Sequence, residues 1–466
     1  MAIKSKHDKL YLIFSIIIGA IVRGYFISQP MRYDEAYTFL TYVNGDLRDI
    51  FTYSTPNNHV LHTILVKFSV VLWGAHPAVL RFPAFFAGLL IIPLTFFLCR
   101  IMTNGNAGVI SSMTAAVFPY LVLYSTNARG YTLFVSLGLL LSILGLLFVK
   151  EPSFSKTVAI SFTAALGCFV TPQMLFFVVG IYIWMGILLL IKRQSLKSVF
   201  TQFAMPATIM TFIFTLLVYA PVIVITGGSK YILSNWVVAP QSWNNFLGGI
   251  YPHIVQTISH FLRDVPVFIT FVFFTFLVTG IYAALREKKW ESLLILPILC
   301  LGAGIILLFN HKIPFPRTWI YILPFLFIVI DFGFVYFTEN IFPGFQPFLS
   351  TLIAILIAYY AFHLISVDAI SQYSDTGIFP EAPVVAKYLK FHMHSGDDLR
   401  ATIPLNEPLN YYLWYFGKYG KNNHGIKNYD KYFVIRKPDD SIDSLTHEPV
   451  IEVFRFDKAI VYKSNP

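Results

Sequence analysis

LYLIFSIIIGAIVRGYFISQPMRYDEAYT, residues 10–38, joins a long apolar run to two adjacent acids. Its first part, Leu10 to Ile27, is close to the roughly 20 apolar residues that a helix needs to cross a bilayer core. Lys4, Lys6 and Lys9 precede it. The basic start and apolar centre resemble a signal peptide, but no small-residue cleavage site follows and further apolar runs do, so the segment reads as a retained anchor. The rest of the chain agrees. Hydrophobic residues make up 56% of the 466 and charged residues 12%, against about a quarter charged in ordinary globular domains. Mean hydropathy is +0.66 and the formal net charge +10. These values exclude a disordered chain, a coiled coil, a secreted disulfide scaffold and a soluble nucleic-acid binder. The three cysteines, Cys99, Cys168 and Cys300, lack metal-ligand spacing and read as small buried hydrophobes.

Further apolar runs centre near residues 80–99, 107–124, 131–149, 157–170, 173–191, 203–225, 266–285, 291–309, 318–337 and 347–366. The expected fold is an all-α polytopic membrane protein of about 11 transmembrane helices. Basic residues set the orientation. With the N-terminus in the cytoplasm, Arg100, Lys150, Lys156, Lys192, Arg193, Lys197, Arg286, Lys288 and Lys289 all fall inside. The segments left outside are a first loop at 28–79, a stretch from Gly227 to Asp264, and everything after about Val367. Residues 1–366 therefore form the membrane domain and 367–466 a small soluble α/β domain on the outer face. In that domain Glu381–Met393 reads as a helix, Asp398–Ile403 and Lys431–Arg436 as strands, and Val453–Tyr462 as a strand or hairpin. Tyr411, Tyr412, Trp414 and Tyr415 could stack on sugar, but their helical spacing reads as that domain's core.

Four outer segments carry chemistry. In Met31–Thr38, two adjacent carboxylates flanked by aromatics sit at a bilayer boundary, where burial can tune a general base. Neighbours on a helix point about 100° apart, so Asp34 and Glu35 cannot both play the same part. One can meet a substrate while the other orients a helix, an arginine or a metal. The plainer alternative is a solvated helix start whose acids favour the N-terminal dipole. His59 and His62 follow, three apart on one helical face, at the entry of a segment from about Asn58 to Trp73. They could ligate metal or be the polar entry of an interfacial helix. Arg129, in Tyr124–Tyr131, is costly at a membrane boundary unless it snorkels or holds an anion, and its fork suits phosphate. Lys312 and Arg317, in Asn310–Trp319, add two cations at the same face, as a phosphate site or as a basic belt anchored by Trp319. Arg81, Lys230 and Arg263 lie on this side as interface anchors. Taken together, one face carries a carboxylate pair, several cations and polar aromatics next to lipid, which suits activating a nucleophile while cations stabilise a phosphate leaving group.

The order of Tyr33-Asp34-Glu35-Ala36 after the first run, Asn58-His59-x-Leu61, Arg81-Phe82-Pro83, Ser125-x-x-Ala128-Arg129-Gly130-Tyr131 and Arg317 ahead of Leu323-Pro324 resembles the bacterial members of the protein O-mannosyltransferase and aminoarabinose transferase family. These are integral membrane glycosyltransferases of the C-type fold. The resemblance implies a multi-pass protein of the inner membrane that moves one sugar, a hexose or pentose, from a polyprenyl-phosphate donor to an acceptor at the outer face, without a nucleotide sugar. It implies Asp34 as the base with Glu35 as catalytic support, and Arg129, Arg317 and Lys312 on the donor phosphate. Tyr33, His59, His62 and Tyr131 would line the substrate site. One base and no separate nucleophile imply a single inverting displacement. Relatives often carry an acid where this chain has Asn127, so whether a divalent cation takes part is left open, and no other cofactor is implied. The acceptor could be a lipid, a glycan or a protein. The rival readings are a transporter or flippase, suited by many spans and buried polar groups, and a non-catalytic scaffold, which leaves Asp34 and Arg129 without a purpose.

Overall fold

The computed structural model describes residues 6–105, 107–228, 238–394, 397–417, 430–438 and 440–464. Lys4 and Lys230, noted above, lie outside them. Among the described residues nine helices are long and apolar enough to cross a membrane, from Lys6–Phe26 to Gln346–Ser366. The two remaining apolar runs are also helical. Phe154–Val170 is a helix of 17 residues, and the run at 107–124 is split into Val109–Val117 and Pro119–Ser125.

Proline explains the split. Pro119 has no N–H and disfavours helical geometry at the residue before it, and Phe118 is extended, with φ −60° and ψ 121°. The break strands the carbonyls of Ala115 and Ala116. Arg23, fully buried in the first helix, donates to both, at 3.2 and 2.5 Å, and to Ser125 Oγ at 3.0 Å. A guanidinium inside the bundle thus replaces two missing backbone donors.

The helices approach through small residues, as membrane bundles do. A Cβ at Gly333 would lie 2.0 Å from the Phe276 carbonyl oxygen, and one at Gly302 would lie 2.5 Å from Gly180 Cα. Gly333→Ala should therefore force apart the helices Val267–Arg286 and Ile322–Ile341, at about 1–3 kcal/mol for overpacking. The check is thermal unfolding in detergent: a lower midpoint is expected for Gly333→Ala and an unchanged one for Gly304→Ala, whose Cβ meets nothing within 4 Å. Outward-facing rows such as Phe348, Leu352, Ile355, Tyr359 and Phe362 are exposed and suit lipid. Cys99 and Cys168 are buried, but Cys300 is exposed, because it falls on an outward face of Trp290–Asn310, so the reading of it as a buried residue is corrected.

Two further helices have a different character. Val60–Trp73 is short for a span. Trp243–Leu262 buries Phe246 and Phe261 while exposing Trp243, Leu247, Tyr251, Ile254 and Ile258, the one-sided pattern of an interfacial helix.

The C-terminal part contains the helices Ala382–His392 and Asn406–Tyr415 and a four-stranded sheet. The strands are β1 (Asp398–Ala401), β2 (Lys431–Arg436), β3 (Val450–Phe456) and β4 (Ala459–Ser464). Their order is β1-β2-β4-β3, with β1 and β2 parallel and the other pairs antiparallel. This part does not pack alone. Met31, Ala36 and Phe39 of the first loop share one core with Leu405, Leu409 and Tyr411. Tyr411 donates to the Ala75 carbonyl and Tyr412 accepts from Met31 N at 3.1 Å. The aromatic row of Asn406–Tyr415 is thus the seam between the C-terminal part and the first loop.

Candidate functional site

The adjacent acids diverge as helical geometry requires. Arg32 precedes a short helix, Tyr33–Thr38. Glu35 is fully buried and its oxygens accept from Arg32 N at 2.8 Å, Ala128 N at 2.8 Å and Arg81 Nε at 3.0 Å, with a further bond from Arg81 Nη2. Arg81 spends its other donors on the carbonyls of Ile27, Gln29 and Pro30. Glu35 therefore ties the first loop to the helix Pro77–Met102 and to the Arg129 turn. It does not line the cavity that Asp34 faces, unlike the catalytic neighbour that the sequence suggests. The Asp34 carboxylate points the other way: Oδ2 lies 3.5 Å from Arg317 Nη2 and accepts no hydrogen bond among the described residues.

Three cations line the cavity with it. Arg317 donates from Nε to the Tyr131 hydroxyl and from Nη1 to the Asp375 carbonyl, both at 2.9 Å. Arg129 is buried and its Nη1 donates to Thr38 Oγ1 at 3.1 Å and to the Asn57 carbonyl at 2.6 Å. Its Nε has no acceptor among the described residues. Lys312 lines the same space, and its ammonium is without a partner among the described residues.

The histidines part company. His59 sits just ahead of the helix Val60–Trp73. Its Nδ1 accepts the Gly130 N–H at 2.9 Å, which leaves the ring proton on Nε2, 3.4 Å from Arg129. Burial and that guanidinium hold its pKa well below the usual histidine value. His62 lies deeper, outside the cavity lining, and neither ring nitrogen has a partner among the described residues. No third His, Cys, Asp or Glu stands close enough to join this pair around a metal among the described residues.

Burial pushes His62 from 6.5 down to about 3. Because the unfolded chain binds more protons between those values, the folded state loses stability as pH falls through that window. The unfolding midpoint should drop between neutral pH and about pH 5, and His62→Leu should flatten part of that drop. An unchanged acid limb in His62→Leu would remove His62 from the account.

Tyr33, Asp34, His59, Arg129, Tyr131, Lys312 and Arg317, separated by up to some 280 residues in the chain, line one cavity of about 760 Å³. The ends of many helices meet here: the residues come from just after Lys6–Phe26, the start of Tyr131–Lys150, the end of Trp290–Asn310 and the turn before Ile322–Ile341. Tyr37, Tyr53, Asn57, Gln173 and Phe176 are also part of the wall. Sequence reading gave these no role; Tyr37 and Asn57 lie in stretches it singled out, Tyr53 and Gln173 lie in breaks on the same side as Arg129, and Phe176, in the first turn of Met174–Ile191, carries no signal. Asn127 is buried beside the site and donates to Thr376 Oγ1 at 2.9 Å.

The polytopic helical bundle, with its small α/β layer packed on the first loop, has close counterparts among solved structures. The fold is shared over almost the whole chain with ArnT, the aminoarabinose transferase, of Cupriavidus metallidurans. The structure of that protein bound to undecaprenyl phosphate superposes with a TM-score of 0.61 at 12% identity, covering 98% of each chain. Its apo state gives 0.60 at 13% identity, covering 98% of this chain and 99% of that one. The Archaeoglobus fulgidus oligosaccharyltransferase tethered to an acceptor peptide gives 0.53 at 12% identity, covering 87% of this chain and 63% of that one. No protein-family model and no curated protein matches the sequence.

Proposed function

We propose that this protein is a membrane glycosyltransferase that moves a single sugar from a polyprenyl-phosphate donor to an acceptor hydroxyl or similar nucleophile. The observation that carries the reading is the cavity: one carboxylate against three cations, Arg129, Arg317 and Lys312. With His59 neutral, the lining has a net positive charge that suits a phosphodiester, and the cations would stabilise charge as it grows on the departing phosphate. Asp34 takes the acceptor's proton, the acceptor oxygen bonds to the anomeric carbon, and the carbon–oxygen bond to phosphate breaks, releasing polyprenyl phosphate. One displacement inverts the anomeric centre. The undecaprenyl phosphate bound to the similarly folded ArnT supports the donor class. The basic loops support an inner-membrane orientation with the N-terminus in the cytoplasm and the cavity and C-terminal part outside. The acceptor is a lipid, glycan or protein reached from that side.

The test offers purified protein in nanodiscs a panel of radiolabelled polyprenyl-phosphate sugars and measures free polyprenyl phosphate. Release with at least one donor is expected, and repeating it with a chelator reads any need for a divalent cation. No release from folded protein with any donor would overturn the reading in favour of a transporter or flippase.

A further inference from the structure

The chain between the last membrane helix and the C-terminal sheet reads as a connector, yet three consecutive residues in it touch Arg317, Asp34 and its neighbour Tyr33, one each. The Asp375 carbonyl accepts from Arg317 Nη1 at 2.9 Å. The Thr376 carbonyl accepts from Asp34 N at 3.3 Å, and the Gly377 carbonyl from Tyr33 N at 3.0 Å. The first amides of any helix have no acceptor within it. In Tyr33–Thr38, the helix that aims Asp34, two of those amides find theirs on residues 376 and 377.

The side chains extend the same grip. Thr376 is buried, and its Oγ1 accepts from Asn127, two residues before Arg129. The Asp375 carboxylate lies 3.2 Å from His260 Nδ1 on the interfacial helix Trp243–Leu262. Gly377 has φ +70°, and a Cβ there would lie 2.7 Å from Tyr33 Cβ and 2.7 Å from Pro404 Cβ. It is wedged between the site helix and the approach to Asn406–Tyr415, in a conformation that favours glycine.

We propose that Asp375, Thr376 and Gly377 form a clasp of positioning residues by which the docked C-terminal part holds the Asp34 carboxylate and the Arg317 guanidinium at their working separation. The C-terminal part then completes the site. The clasp supplies no reacting group; it acts through Asp34 and Arg317. Small misplacements of reacting groups lower rates steeply, by about 100-fold for 1 Å, so a hold of this kind has kinetic weight. The kinetic part rests on the transferase reading, whereas the structural part does not.

The experiment therefore has two arms on the full-length protein in nanodiscs. In the first, hydrogen exchange is followed by mass spectrometry in wild type and Gly377→Ala. Peptides covering residues 31–38 should exchange about tenfold faster in the variant, while the membrane helices keep their protection. In the second, polyprenyl phosphate release is measured per folded molecule. Gly377→Ala should lower kcat by about 10- to 100-fold with donor KM changed less. Asp375→Ala should fall in the same direction, and Asp375→Asn, which keeps an acceptor for His260, should restore most of the rate. Unchanged exchange at residues 31–38 in Gly377→Ala overturns the clasp, and so does changed exchange with an unchanged kcat. If wild type releases nothing from any donor, the transferase reading fails while the exchange arm still decides whether these residues hold the Asp34 helix.

Discussion

Asp34→Asn is expected to lower polyprenyl phosphate release by about 10²–10⁴-fold, the usual weight of a general base, while leaving the unfolding midpoint and donor binding close to wild type. The substitution keeps the shape of the side chain and removes its charge and basicity. Stability should survive because Asp34 Oδ2 accepts no hydrogen bond among the described residues. Its contact with Arg317 is an ion pair at 3.5 Å, and Arg317 keeps the Tyr131 hydroxyl and the Asp375 carbonyl as acceptors. The decisive measurement is single-turnover release at saturating donor, paired with a thermal melt. Release that survives Asp34→Asn would keep the transferase class and discard Asp34 as its base. Lost release together with lost donor binding would instead make Asp34 a binding group.

The bundle was legible because hydropathy is local. A run such as Met174–Ile191 needs no knowledge of its neighbours to read as a span, and the C-terminal β2 was recoverable as a short aromatic and β-branched run between charged residues. The site was legible in outline because membrane-boundary charges are costly and so stand out: Asp34, Arg129, Lys312 and Arg317 were each conspicuous against apolar surroundings. What escaped was whatever depends on contacts between distant segments. The sequence predicts that Asp34 and Glu35 diverge but not which one turns inward; Arg81 and Ala128 N decide that, and they lie 46 and 93 residues away. The grip of residues 375–377 is built mainly from backbone carbonyls, which are the same in every residue type and leave almost no mark on composition. His62 shows the converse. Its spacing from His59 suggested a shared face, but the helix begins only after His59, so His59 is free to turn its ring toward Gly130.

Glu35 should give the opposite phenotype to its neighbour. Both Glu35 and Arg81 have fully buried side chains, and removing one member of a buried pair strands the other charge at about 3–5 kcal/mol. Glu35→Ala also deprives Arg32 N and Ala128 N of their acceptor, which loosens the Asp34 helix and the Arg129 turn together. The expected result is a large fall in the yield of folded protein and in its unfolding midpoint. Replacing the pair jointly, Glu35→Met with Arg81→Met, should recover part of the loss, because an apolar pair of similar volume carries no stranded charge. Glu35→Gln is the discriminating variant. If Glu35 only positions, the fraction that folds should release polyprenyl phosphate at a rate within about tenfold of wild type. A folded Glu35→Gln protein as inactive as Asp34→Asn would instead give Glu35 the catalytic part that its neighbourhood in the sequence suggested.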